Sequence, residues 1–213
     1  MRALLTGFEG FASKSNPSGM IARDLDGKVV GDLEIVGRQL PENFYTLSEI
    51  LRELISEVKP KVIISTGWDY ISKIKIEKIA LNVMNSQFGD KLVPDNSGNS
   101  PIGEEIIKKG PLALKATFPA ESIQGQVSRA GIPAELSYHA GTHCCNTVMY
   151  SALYHSQRLR PDIVCGFMHV PPIPEMKVRG GGSSAMSLSR ETDAIERALI
   201  ACGRKLQSTK SKT

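Results

Sequence analysis

Short apolar runs closed by glycine alternate along this chain with longer segments whose apolar residues recur every three or four positions. Arg2 to Thr6 is the first such run and predicts a buried strand ending at Gly7. The loop Gly7-Phe8-Glu9-Gly10-Phe11-Ala12 follows, and Asn16-Pro17 then predicts a helix start, with Asn16 as N-cap and Pro17 at the first helical position. That helix carries Met20, Ile21 and Leu25 and stops near Gly27. Leu33 to Leu40 alternates as a second strand. Phe44, Leu47, Leu51, Leu54, Ile55 and Val58 lie on one face of an amphipathic helix that Pro60 ends. Lys61 to Gly67 is β-branched and continuous, the pattern of a strand covered on both faces.

Farther along, Ile71 to Asn82 predicts another strand. Lys73, Lys75 and Glu77 fall on one side and Ile74, Ile76 and Ala80 on the other, which suggests more exposure than for the earlier strands. Val83 to Pro101 is polar and rich in turn residues and reads as a long loop. Pro119 to Ala130 predicts a helix, Ala134 to Tyr138 a strand, and the segment from Cys144 to about Gln157 a helix entered through a glycine turn. Asp162 to Val170 is a further buried strand, Gly180 to Ser184 a link, Leu188 to Leu206 a last amphipathic helix, and 207–213 a basic tail without fixed structure. Strands and helices alternating in this way predict the α/β class. The expectation is a single domain over 1–206, a three-layer α/β/α sandwich around a mostly parallel twisted sheet.

Composition changes this picture little. A chain of 213 residues can bury a core without cross-links, and 41% apolar with 23% charged residues is ordinary for a globular protein. The formal charge of +4 is owed to Arg204, Lys205, Lys210 and Lys212, in a segment without acids, so no nucleic-acid-binding face is indicated. No apolar stretch is long enough to span a membrane, and the run at Met1–Thr6 is too short for a signal peptide, so the expected location is cytoplasmic. There Cys144, Cys145, Cys165 and Cys202 are expected as thiols. No CxxC pair suggests a structural zinc site.

The candidate chemistry centres on Ala140-Gly141-Thr142-His143-Cys144-Cys145-Asn146. A thiol at a helix N-terminus faces unpaired N–H groups and the positive end of the helix dipole, which favour the nucleophilic thiolate. The same N–H groups can hold an oxyanion. His169, at the end of a buried strand, lies where open α/β sheets place their sites. Taken singly, each candidate has a plainer reading. Cys145 can be a small buried hydrophobe, His169 a core histidine, and Glu77 a surface charge paired with Lys73 or Lys75.

Jointly, these residues and their neighbours resemble pyroglutamyl peptidase I, a family of cysteine peptidases that remove N-terminal pyroglutamate. The resemblance rests on Thr6-Gly7-Phe8-Glu9-Gly10-Phe11, Asn16-Pro17, Ile76-Glu77-Lys78-Ile79-Ala80-Leu81-Asn82 and Pro94-Asp95-Asn96. It continues through Gly131-Ile132-Pro133-Ala134, Ala140-Gly141-Thr142, Cys145-Asn146-Thr147-Val148-Met149-Tyr150 and Phe167-Met168-His169-Val170-Pro171. It implies Cys145, not Cys144, as nucleophile, His169 as base, and Glu77 as the acid that orients it. It also implies Phe8 and Phe11 as the lining of a pocket for the lactam ring. No metal or cofactor is implied; the implied partners are peptides with an N-terminal pyroglutamate, and the implied assembly is a homotetramer.

Two stretches depart from the family's pattern. The arginine that usually precedes the Pro-Asp-Asn stretch falls at Leu92, beside Lys91, and the glycine-rich turn after the third strand is replaced by Trp68-Asp69-Tyr70. Both bear on the mouth of the site, so the alternative is a catalytically weak relative that binds cyclised N-termini without efficient turnover. Metal binding by His139, His143, Cys144 and Cys145 is a further reading, disfavoured because adjacent cysteines seldom serve one tetrahedral ion.

Overall fold

The computed structural model describes residues 1–10, 15–176 and 185–210, with side chains through 208. Strand β1 (Arg2–Phe8) leads to helix α1 (Pro17–Leu25), where the Asn16 side chain accepts a hydrogen bond from the Ser18 N–H and Pro17 opens the helix as the sequence predicts. Next come β2 (Val29–Val30), β3 (Leu33–Leu40) and α2 (Leu47–Val58). Helix α2 ends on Lys59 in the left-handed conformation, whose N–H reaches back to Ile55 O, one residue before Pro60. Strand β4 (Val62–Trp68) is followed by β5 (Ile74–Glu77) and β6 (Ile79–Leu81). An excursion of short pieces then contains β7 (Met84–Asn85), β8 (Gln87–Phe88), β9 (Lys91–Leu92), β10 (Ile102–Glu104) and β11 (Ala113–Lys115). Helix α3 (Ala120–Arg129), β12 (Ala134–Ser137), α4 (Cys144–Leu159), β13 (Val164–Val170) and α5 (Leu188–Lys210) complete the chain.

Seven strands form the central sheet in the order β12-β5-β13-β4-β1-β3-β2. The pairs β1–β3, β1–β4, β4–β13 and β5–β12 are parallel, whereas β13–β5 and β3–β2 are antiparallel, so the sheet is mostly parallel. Helices cover both faces, as expected for α/β layers. Ile21 and Leu25 of α1, Ile123 and Val127 of α3, and Ile195 and Leu199 of α5 pack on one face. Leu47, Leu51 and Ile55 of α2 pack with Val148, Met149 and Leu153 of α4 on the other.

The strands divide between these two cores by residue parity, because successive side chains point to opposite faces. Ala3 and Leu5, Val62 and Ile64, Ile74 and Ile76, and Met168 and Val170 face the α1/α3/α5 layer. Leu4 and Phe8, Ile63, and Cys165 and Phe167 face the α2/α4 layer. Parity alone therefore sends Gly67, Glu77 and His169 toward α4.

The structure corrects several expectations. The segment expected to be a more exposed strand from Ile71 to Asn82 is instead two strands, and β5 is internal to the sheet, with Ile74, Ile76 and Glu77 buried. The lysines on either side of Glu77 misled because a residue in the register of a covered ladder has no access to water, whatever its neighbours. The expected loop over Val83–Pro101 contains β7, paired with the more distant β10, and the tight β8–β9 hairpin, all too short for a local pattern to reveal. Helix α5 continues past Leu206 to Lys210, and the Gln207 amide reaches the Asp32 carboxylate, so 207–210 are helix, not tail. The expected link at Gly180–Ser184 and the last three positions, 211–213, lie outside the described residues.

Candidate active site

Gly141, with φ of 74°, makes the left-handed turn that ends the approach to α4, a conformation that costs a glycine little. His143 then occupies the N-cap in an extended conformation, and its side chain makes no capping hydrogen bond. Cys144 and Cys145 are the first two residues of the helix, so the backbone N–H groups around Cys145 belong to the set that a helix leaves unpaired. The chemistry at the two sulfurs differs. Cys144 is buried, and burial raises its thiol far above the ordinary range, whereas Cys145 is partly accessible.

Strands β4, β13 and β5 supply the floor. His169 stands opposite Gly67 in the parallel β13–β4 ladder and opposite Lys75 in the antiparallel β13–β5 ladder. Glu77, opposite Phe167, is thus the diagonal neighbour of His169 on the same face, within side-chain reach. The His169 Nδ1 lies 2.8 Å from Glu77 Oε1, in a pair that is almost wholly buried. With Nδ1 so engaged, Nε2 is the nitrogen left for the Cys145 sulfur, which is near enough to act on the ring. The Phe167 ring meets the imidazole edge-on, with centroids 4.9 Å apart, and fixes its plane.

Burial opposes a charge on the imidazole. The Cys145 sulfur and the Glu77 carboxylate outweigh it and raise the His169 pKa to about 10. The ring is therefore held as imidazolium at neutral pH, between a sulfur and a carboxylate. Glu77 Oε2 has no hydrogen-bond partner among the described residues, so its stabilisation comes from the adjacent cation.

Gly67 makes the assembly possible. A Cβ at this position would lie 2.7 Å from Cys145 Sγ and 3.0 Å from Phe167 Cζ, so any side chain here would force the sulfur to shift. The sequence shows Gly67 only as the end of a strand; its partnership with His169 is a property of the register. Phe8 lies alongside, its Cε2 3.5 Å from the same point, and is buried between β1 and the sulfur. Phe11 lies outside the described residues.

Asn146 is a second residue whose role sequence reasoning passed over, although it follows Cys145. Its side-chain oxygen accepts from the Leu81 N–H at 2.9 Å, and its amide donates to the carbonyls of Leu81 and Val83, each at 2.9 Å. One carboxamide thereby fastens the start of α4 to β6, immediately after the strand that carries Glu77. Asp95, from the Pro94-Asp95-Asn96 stretch, is likewise a brace. It accepts from the backbone of Phe44, Ser97 and Asn99 and from the Asn99 amide.

The expected triad residues are brought together; of the four residues weighed as metal ligands, His143 and Cys144 lie close to each other, but His139 and Cys145 do not join them. His139 is exposed and accepts from the Gly141 N–H, and His143 turns toward Glu42 and the Val93 carbonyl. Leu92, where an arginine was sought, is exposed on the β8–β9 hairpin. The geometry as a whole suits attack by a thiolate, a proton held on an adjacent imidazolium, and an oxyanion received by helix N–H groups.

Known proteins of the same construction exist. The sequence profile described as pyroglutamyl peptidase matches residues 1–205. The chain is 37% identical over 205 residues to the pyrrolidone-carboxylate peptidase of Thermococcus litoralis, covering 93% of this chain and 91% of that one. It is 37% identical to the Pyrococcus furiosus enzyme of the same name, covering 93% and 96% of the two chains. Among solved structures, the pyrrolidone carboxyl peptidase of T. litoralis superposes with a TM-score of 0.90 at 34% identity, covering 98% of this chain and 96% of that chain. Pyroglutamyl peptidase I of Bacillus amyloliquefaciens does so with a TM-score of 0.87 at 34% identity, covering 94% and 96%.

Proposed function

The chain belongs to the pyroglutamyl peptidase family and is a cysteine peptidase that removes N-terminal pyroglutamate, and on that premise we propose that Cys145, His169 and Glu77 carry the reaction. The observation that supports this most is the buried Glu77–His169 contact at 2.8 Å with the Cys145 sulfur on the far side of the ring.

Cys145 Sγ attacks the pyroglutamyl carbonyl carbon, and the carbonyl oxygen takes the displaced electron pair toward the N–H groups at the start of α4. As the tetrahedral species collapses, the C–N bond breaks and the His169 imidazolium gives its proton to the leaving amine. The thioester that remains is attacked by water, whose proton passes to the now neutral His169. Expulsion of the Cys145 thiolate restores the ion pair and frees pyroglutamate. Glu77 keeps Nδ1 protonated throughout and so directs Nε2 at the reacting atoms. No step calls on a metal.

Phe8, beside the sulfur, and Phe11, assigned by resemblance, line the lactam pocket in this proposal. A flat neutral ring is held by apolar packing, while a charged amino terminus would lose its hydration there without compensation. Two finer readings accompany this. The four cysteines are free, which supports a reducing, cytoplasmic setting. The resemblance and the apolar side chains exposed on the 84–104 excursion support a homotetramer.

Hydrolysis of a chromogenic pyroglutamyl amide by the wild type and by Cys145→Ser is the test. Release of the chromophore that is lost in Cys145→Ser, lost on alkylation and unaffected by chelators is expected. Binding of the amide with no release in the wild type would instead favour the weak relative, a reading that the family and its structures do not support.

A further inference from the structure

Apart from the peptidase chemistry, Glu42, His143 and Cys144 bring a carboxylate oxygen, a ring nitrogen and a thiol sulfur within 4.8 Å of one another. The mechanism uses none of them. We propose that they form a binding site for a divalent cation of the zinc class, a clip between the turn after β3 and the first residue of α4.

The donor set is the first argument. Oxygen, imidazole nitrogen and thiolate sulfur together suit a borderline-soft ion that accepts all three, with the fourth tetrahedral position open to water. Bond lengths of about 2.0–2.3 Å imply donors about 3.3–3.8 Å apart, so closing on an ion asks for a contraction of about one ångström. Glu42 can supply it, since its side chain is 29% exposed and sits on a turn.

The second argument is the state of the histidine. His143 Nε2 lies 3.0 Å from the Val93 carbonyl, which can only accept, so this nitrogen carries the hydrogen. Nδ1 faces Glu42 Oε1 at 3.5 Å, too long for a good hydrogen bond. In the neutral ring a lone pair therefore points toward a carboxylate, an arrangement that positive charge between them relieves. A carbonyl behind one ring nitrogen and an open lone pair on the other is how metal-binding histidines are held. Phe44 packs edge-on against the ring with centroids 4.6 Å apart and restrains its rotation.

The third argument is Cys144 itself. It is buried beside the nucleophile yet separate from it, and Cys145 is not among the clustered donors. Metal binding would replace the thiol proton, which leaves to solvent, with a metal–sulfur bond. The ion would tie residue 42 to residues 143 and 144, and so hold the helix end on which Cys145 rides.

Cobalt(II) reads this directly in full-length protein carrying Cys145→Ser, which removes the catalytic thiol as a competitor. One ion per chain with a thiolate-to-cobalt charge-transfer band, displaced by zinc, is expected. The band is expected to vanish when Cys144→Ala is added, and affinity to fall by about tenfold or more with Glu42→Gln. Glu42→Gln, near the surface, keeps the test valid if Cys144→Ala fails to fold, and in protein with Cys145 intact it is expected to leave peptidase turnover unchanged without added metal. A missing band, a band that survives Cys144→Ala, or an affinity unchanged by Glu42→Gln would each overturn the site. None of these readouts depends on peptidase activity.

Discussion

At the scale of single residues, the proposed reaction turns on the proton that His169 holds between Cys145 and Glu77, and its pH dependence follows. His169 is raised from 6.5 to about 10, so the pair contributes stability that is complete below about pH 6.5 and is lost as pH rises through about 10. In the proposed mechanism the imidazolium persists over the same range, and the alkaline limb of kcat/KM is expected near the upper bound. Replacing Glu77→Gln removes the carboxylate charge and lowers the His169 pKa, so that limb moves to lower pH while kcat drops by roughly a hundredfold to ten-thousandfold. A pH–rate profile that keeps its alkaline limb would refute the role of Glu77. Gly67→Ala tests the close approach at the sulfur. Because the new methyl would sit 2.7 Å from Sγ, the thiol must move, and a loss of about a hundredfold in kcat/KM with the far-ultraviolet spectrum preserved is expected. Cys145 and His169 were legible as candidates in the sequence, one at a helix start and the other at a strand end, and the family resemblance selected them. The burial of Glu77 was not, since it is fixed by an antiparallel register between segments far apart in the chain.

At the scale of elements, α5 carries the feature with the clearest consequence. Glu191, in its first turn, is fully buried, and neither carboxyl oxygen has a partner among the described residues. Burial raises its pKa to about 9. The sign is opposite to that of a paired acid. The folded chain keeps the proton while the unfolded chain releases it near pH 4.5, so stability declines as pH rises from about 4.5 to about 9. Glu191→Gln is expected to flatten that decline and to stabilise the protein by about 1–3 kcal/mol at pH 8, read from melting temperatures across pH. An unchanged slope would place the proton elsewhere. Element type was mostly readable: α1 begins at the Asn16 cap and Pro17, α2 ends before Pro60, α4 opens at the cysteine pair and β3 spans the alternating Leu33–Leu40. What escaped were two- and three-residue strands such as β8 and β10, too short for any period to register. The last turn of α5 also escaped, because Gln207 is held by Asp32 from the opposite end of the chain.

For the whole molecule, several of the exposed apolar side chains share one region. Phe88, Leu92, Val93 and Ile102 lie on the excursion between β7 and β10, which Tyr45 joins through its hydroxyl to Glu104. Such a grouping is the usual mark of a contact surface. Sedimentation at low micromolar concentration is expected to give a particle of four times the 23.1 kDa chain mass, and charged substitutions at Phe88 and Leu92 to break it. A single-chain species in the wild type would end the tetramer reading. The layered fold was visible from the alternation of runs and amphipathic segments, whereas the reversal of β5 against β13 was not, and that reversal has a lasting effect. Histidine and glutamate ride on adjoining rungs of one ladder, while the sulfur is carried by a separate helix clasped through the carboxamide of Asn146. The proposed site is thus assembled from two parts, and loss of the Asn146 carboxamide would part the sulfur from the ring while the ladder stays paired.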